Sequence, residues 1–96
     1  MARNSPLRIF CYDISCDRRR RKVASVLEDH ATRVQFSVFE ARMTPAAVNR
    51  LVRQIAALLA EHDSLRLYTV GTSGEKHCQV FGSGIPIESE TGFWLL

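Results

Sequence analysis

The stretch "RVQFSVFEARM", residues 33–43, decides the fold. It is built of β-branched and aromatic types and is apolar on both parities, Val34, Phe36 and Val38 against Phe39 and Ala41. One half-buried strand would alternate strictly, so the stretch predicts two strands divided by a tight turn or bulge near Gln35 to Ser37. Upstream, "LRIFCYDI" (7–14) reads as a strand with Leu7, Ile9, Cys11 and Asp13 on one face and Phe10, Tyr12 and Ile14 on the other. Between the two lies a helix from about Arg18 to His30, striped by Val23, Val26, Leu27 and His30, with Ser15 or Asp17 as N-cap. Downstream, "TPAAVNRLVRQIAALLAEH" (44–62) reads as a second helix. Thr44 is its N-cap, Pro45 its first residue, and Val48, Leu51, Val52, Ile55, Leu58 and Leu59 its apolar face. "SLRLYTV" (64–70) is a further strand. The order β-α-β-β-α-β predicts an α+β, ferredoxin-like domain with both helices on one face of a four-stranded antiparallel sheet.

The whole chain, 1–96, is expected to be a single domain, with a core at about 7–70 and a docking tail at about 71–96. Its strands are apolar on both faces, yet the helices cover only one. A chain this short buries only about 60–65% of its unfolded surface, which favours self-association. A homodimer packed through the open sheet faces is therefore expected. The tail closes on an apolar "GFWLL" and contains a strand-like "CQVFG". It is predicted to dock as an extra C-terminal edge strand, on its own sheet or its partner's.

Composition excludes several classes. No apolar run approaches the roughly 18 residues of a membrane span, and the N-terminus lacks a signal peptide's apolar core, so the expected compartment is the cytoplasm. Cys11, Cys16 and Cys78 form no CxxC pair and are read as reduced thiols. His30, His62 and His77 have no neighbours at metal-ligand spacing, and there is no glycine-rich phosphate loop. Net charge is only +3, with a pI near 9.1. Nine of the thirteen basic residues nevertheless fall in the first 42 positions, so one end of the molecule is expected to be positive.

Two features of "YDISCDRRRRKV" (12–23) carry chemistry. Arg18, Arg19, Arg20, Arg21 and Lys22 crowd the start of a helix, where the dipole disfavours cations by about 0.3–1 kcal/mol each. An anionic ligand reverses that penalty. Successive residues turn through about 100°, so five cations suit a long phosphate backbone better than a nucleotide. Arg33 and Arg42 extend this nucleic-acid-binding set. Asp13, a carboxylate at the end of an apolar strand, is read either as a turn or capping residue or as a ligand for Mg²⁺. One Asp makes a thin site, but a two-fold axis between stacked sheets would bring two copies of Asp13 together.

With "YDIS", "DRRRRKVASVLE", "RVQFSVFEARMT", the amphipathic second helix and "DSLRLYTV", residues 8–70 resemble the Cas2 family, the small adaptation subunit of CRISPR systems. The resemblance implies a ferredoxin-like homodimer that works with the Cas1 integrase and holds duplex DNA during spacer acquisition. It also implies a Mg²⁺-dependent endonuclease activity, with Mn²⁺ as an alternative metal and single-stranded RNA as a further substrate. Asp13 matches the family's metal-binding, catalytic aspartate; Arg20, Lys22 and Arg33 fall near its basic positions; Ser37 and Phe39 match its "SVF" segment. Cys16 departs from the acidic residue many members carry, with Asp17 as an imperfect substitute.

Blander roles stand beside these. Ser37 is read as satisfying its own turn rather than bonding a phosphate or the dimer-interface backbone, Phe39 as core or dimer interface, Tyr12 as core with its hydroxyl at the rim, and Glu40 as an ion-pair partner for an arginine rather than a member of the metal site. Three other functions fit the pattern: a non-catalytic nucleic-acid-binding scaffold, a toxin-like endoribonuclease, and a single-strand RNA-binding domain with aromatics on an open sheet.

Overall fold

Seven residues, Leu7–Asp13, form β1 and run through the middle of a four-stranded antiparallel sheet. The computed structural model describes residues 5–88 and 94–95. After β1 come α1 (Asp17–Glu28), β2 (Thr32–Gln35), β3 (Val38–Arg42), α2 (Pro45–Ala56) and β4 (Ser64–Val70). The sheet order β2-β3-β1-β4 is that of the ferredoxin-like split βαβ, as the sequence predicts. Stretch 33–43 divides as expected: Phe36 and Ser37 make the turn, and the β2–β3 register shifts between Arg33 and Gln35.

Alternation along the strands builds the core. Phe10 and Tyr12 of β1 with Ile14 just after it, and Phe39 and Ala41 of β3 with Met43 just after it, are buried in the core beneath the helices. Val23, Ala24 and Leu27 of α1 and Val48, Leu51 and Ile55 of α2 close over them. Full burial of each large side chain is worth about 1.5–3 kcal/mol, so these few positions carry much of the fold's stability.

The helix ends show which local signals hold. At α2, the Thr44 hydroxyl accepts the Ala47 N–H at 3.2 Å and Pro45 follows, as predicted. The helix stops at Ala56, earlier than predicted, because the next turn tightens. Leu58 N–H donates to Ile55 C=O, Leu59 N–H to Ala56 C=O, and Ala60 N–H to the Asp63 carboxylate. Leu58 and Leu59 still pack on the core from that turn. At α1, neither Ser15 nor Asp17 is the N-cap. Cys16 holds that position without a side-chain bond, while the Asp17 carboxylate pairs with Arg20 inside the helix.

Beyond β4, a one-turn helix α3 (Thr72–Glu75) is clasped to the sheet, the Arg42 guanidinium meeting the Glu75 carboxylate. The tail then runs past the β2–β3 hairpin. Val80, Phe81 and Ile85 face Val34, Val38 and Glu40 across a groove. The extra edge strand expected at "CQVFG" does not form: residues 78–82 have no strand structure, and the backbone turns at Gly82 with φ of 81°. Instead β5 (Ile87–Glu88) and β6 (Trp94–Leu95) pair with each other in a separate two-stranded sheet. The rest of the closing "GFWLL" lies outside the described residues.

Candidate nucleic-acid and metal site

Asp13 ends β1 opposite Ser64 and is exposed. Among the described residues its carboxylate has no hydrogen-bond or ion-pair partner, so neither a turn nor a cap uses it. Four residues on, α1 begins, and its cations divide into two groups. Arg18, Arg21 and Lys22 are exposed and, among the described residues, engage no hydrogen bond or ion pair.

Arg19 and Arg20 are tied to the protein. Arg19 makes a two-point bond to Asp63, at 2.7 and 3.2 Å, joining α1 to the loop before β4. That bond, with the Ala60 N–H, holds the Asp63 carboxyl below its usual pKa. Arg20 donates to Ile14 C=O at 2.9 Å, pairs with Asp17, and sets its guanidinium 5.7 Å from the centre of the Phe36 ring.

The two outlying cations are also committed. Arg33 donates to Phe36 C=O at 3.1 Å, lies 3.6 Å from Glu28, and stacks over Phe39 at 5.0 Å. Its Nε is buried without a hydrogen-bond partner among the described residues. Arg42, expected on a phosphate, is buried instead, donating to Ser5 C=O at 3.0 Å and pairing with Glu75. The reason is strand parity: position 42 faces the side of β3 over which α3 folds. Arg8 lies on the opposite face of the sheet, in register with Ala41 and Thr69, and its acceptors come from elsewhere in the chain. It is buried, with Nε and Nη2 on Met43 C=O and Nη1 on the Thr69 hydroxyl at 3.0 Å.

The motif positions take structural roles within one chain. The Ser37 carbonyl accepts the Tyr12 N–H at 3.2 Å. Phe39 is fully buried in the core. Tyr12 is buried with its hydroxyl donating to Phe36 C=O at 3.3 Å, and burial pushes its pKa up. Glu40 forms no ion pair among the described residues; it is half-buried beside Ile9 and Thr32, and burial raises its pKa. The Cys16 thiol is held below its ordinary pKa, chiefly by the backbone N–H of Arg19. All three cysteines are free thiols.

A hard divalent cation prefers oxygen ligands, and Mg²⁺ keeps most of its waters, so an open carboxylate suits it in kind. In number the chain falls short. Among the described residues, no group of three or more His, Cys, Asp or Glu side chains is arranged to hold a metal.

The sequence profile described as "CRISPR associated protein Cas2" matches residues 7–77. The chain belongs to the Cas2 family. It is 38% identical over 77 residues to CRISPR-associated endoribonuclease Cas2 2 of Synechocystis sp., covering 78% of this chain and 83% of that one. Against CRISPR-associated endoribonuclease Cas2 1 of Chloroflexus aurantiacus it is 33% identical over 90 residues, covering 92% and 97%. Among solved structures, Streptococcus pyogenes Cas2 superposes with a TM-score of 0.68 at 29% identity, covering 79% of this chain and 99% of that one. A chain of a partial Cas6-RT-Cas1–Cas2 complex gives a TM-score of 0.69 at 28% identity, covering 79% and 90%. No helix among the described residues of this Cas2-family chain is long and apolar enough to cross a membrane.

Proposed function

We propose that this chain is an adaptation subunit of a CRISPR system, working as a homodimer with a Cas1 integrase on duplex DNA, and that it cleaves phosphodiesters with Mg²⁺ at Asp13. The observation that carries the reading is the pairing of an open carboxylate at the end of β1 with the open cations Arg18, Arg21 and Lys22 on the adjoining helix start. Three cations beside a helix N-terminus, unpaired among the described residues, favour a polyanion, which offsets both their mutual repulsion and the helix dipole. Relatives named endoribonucleases and a Cas1–Cas2 complex of the same fold support the two halves of the proposal.

Within the site, Arg18, Arg21 and Lys22 hold phosphate, and Arg19 fixes the helix by its bond to Asp63. Asp13 holds the metal, joined by Asp13 of a second copy across a two-fold axis through the open sheet faces. Mg²⁺, when bound, polarises the phosphodiester and activates a water.

A cleavage assay tests this, with single-stranded RNA, single-stranded DNA and duplex DNA, each with and without Mg²⁺. Cutting that needs Mg²⁺ and is lost in Asp13→Ala, while duplex binding persists and weakens steeply with salt, is the expected result. A variant that cuts as fast as the parent protein would assign the activity to contamination. Duplex binding without any cutting would leave the scaffold reading, which the lone carboxylate of each copy favours.

A further inference from the structure

Phe36 stands at the tip of the β2–β3 turn with 68% of its surface open, whereas Phe10 and Phe39 of the same sheet have none. Its backbone is fixed, for its carbonyl accepts both the Tyr12 hydroxyl at 3.3 Å and Arg33 Nη1 at 3.1 Å. The ring is flanked by two cations, the Arg20 guanidinium 5.7 Å from its centroid and that of Arg33 at 5.9 Å. Both guanidinium groups are themselves anchored, Arg20 on Ile14 C=O and the Asp17 carboxylate, and Arg33 on the Phe36 carbonyl with Glu28 3.6 Å away. An exposed ring on a fixed backbone, between two held cations, presents a flat π surface beside positive charge. That combination matches a nucleobase and its neighbouring phosphates, because every base offers a π face whatever its sequence.

The turn also adjoins the proposed metal carboxylate. Ser37 C=O accepts the Tyr12 N–H, and Asp13 is the next residue along β1. We infer that Phe36 is a stacking platform for one unpaired base, its ring held between the Arg20 and Arg33 guanidinium groups, so that the strand's next phosphodiester is delivered to the Asp13 end of the sheet. The inference rests on the nucleic-acid reading above and adds a preference to it. Ends or strands that offer an unpaired nucleotide bind better than blunt duplex.

The test is fluorescence anisotropy with a labelled duplex in three forms: blunt, with a short thymidine overhang, and with the same overhang made abasic. Parent protein is expected to prefer the thymidine overhang to the abasic one by about tenfold. Phe36→Ala should bind both overhangs alike while keeping blunt-duplex affinity, and Phe36→Trp should restore the preference. Phe36→Leu, apolar but without a π face, should behave as Phe36→Ala does. Equal binding of thymidine and abasic overhangs by the parent protein overturns the platform, as does a preference that survives in Phe36→Ala. A change in sedimentation of Phe36→Ala without oligonucleotide would assign the ring to a protein contact and likewise overturn it. Should the parent protein bind none of the three, the nucleic-acid reading itself fails; normal blunt binding with no overhang preference removes only the platform.

Discussion

β1 and β4 are equal in length, hydrogen-bonded to each other over their whole run, and opposite in burial. Phe10 is fully buried, while Leu67, directly across the ladder, keeps 37% of its surface exposed and Tyr68 keeps 47%. The ladder is shared, so backbone bonding cannot account for the difference. Position does: β1 has neighbours on both sides and helices above it, whereas β4 is an edge whose apolar side chains one copy of the chain leaves open. β4 is therefore held by its ladder and by the Arg19–Asp63 bond at its entrance, more than by packing.

The largest expected effect is on the buried side of that pair. Phe10→Ala should lower the unfolding free energy by about 3–5 kcal/mol in urea titration, through lost burial and the cavity left behind. Leu67→Ala, one ladder rung away, should cost under about 1 kcal/mol. Similar losses at the two positions would break the contrast.

Next comes the pin. Asp63 has a lowered pKa in the folded protein, so its contribution is present above the unfolded value of about 3.9 and is lost as pH falls through the folded value. Thermal unfolding of Asp63→Asn should show its greatest deficit near neutral pH, closing as pH drops below about 4. A deficit constant across that range would mean that the carboxylate's charge plays no part.

The smallest effect on folding is expected at Tyr68→Ala, within about 1 kcal/mol because the ring is half open. Its value lies in association: sedimentation should show a weakened dimer if the open face of β4 meets a second copy. An unchanged association state would place the dimer contact elsewhere.

Much of this was legible because the signals are local. The split of 33–43, the Thr44–Pro45 start of α2 and the alternation of β1 each depend on residues a few positions apart. What escaped depends on distant partners. Arg8 is buried because Met43 and Thr69, 35 and 61 positions away, supply its acceptors. Arg42 looks like any other cation until α3 folds back with Glu75. Cys16 stands at the N-cap of α1 with no side-chain bond while Asp17 pairs with Arg20, an arrangement that spacing does not decide. Phe36 reads from sequence only as an apolar residue, since its signal does not distinguish a buried phenylalanine from a presented one.

The central place of β1 has a consequence for synthesis. A ribosome makes this strand first, yet its two neighbours are β3 and then β4, with Leu7 paired to Val70 at the far end of the folded core. One edge of β1 can be covered once β3 has emerged, but the other stays open until β4 follows, and only then can the sheet close. An edge left open while residues 43–70 emerge is a template for pairing with another chain, so slow emergence of that stretch favours aggregation over folding.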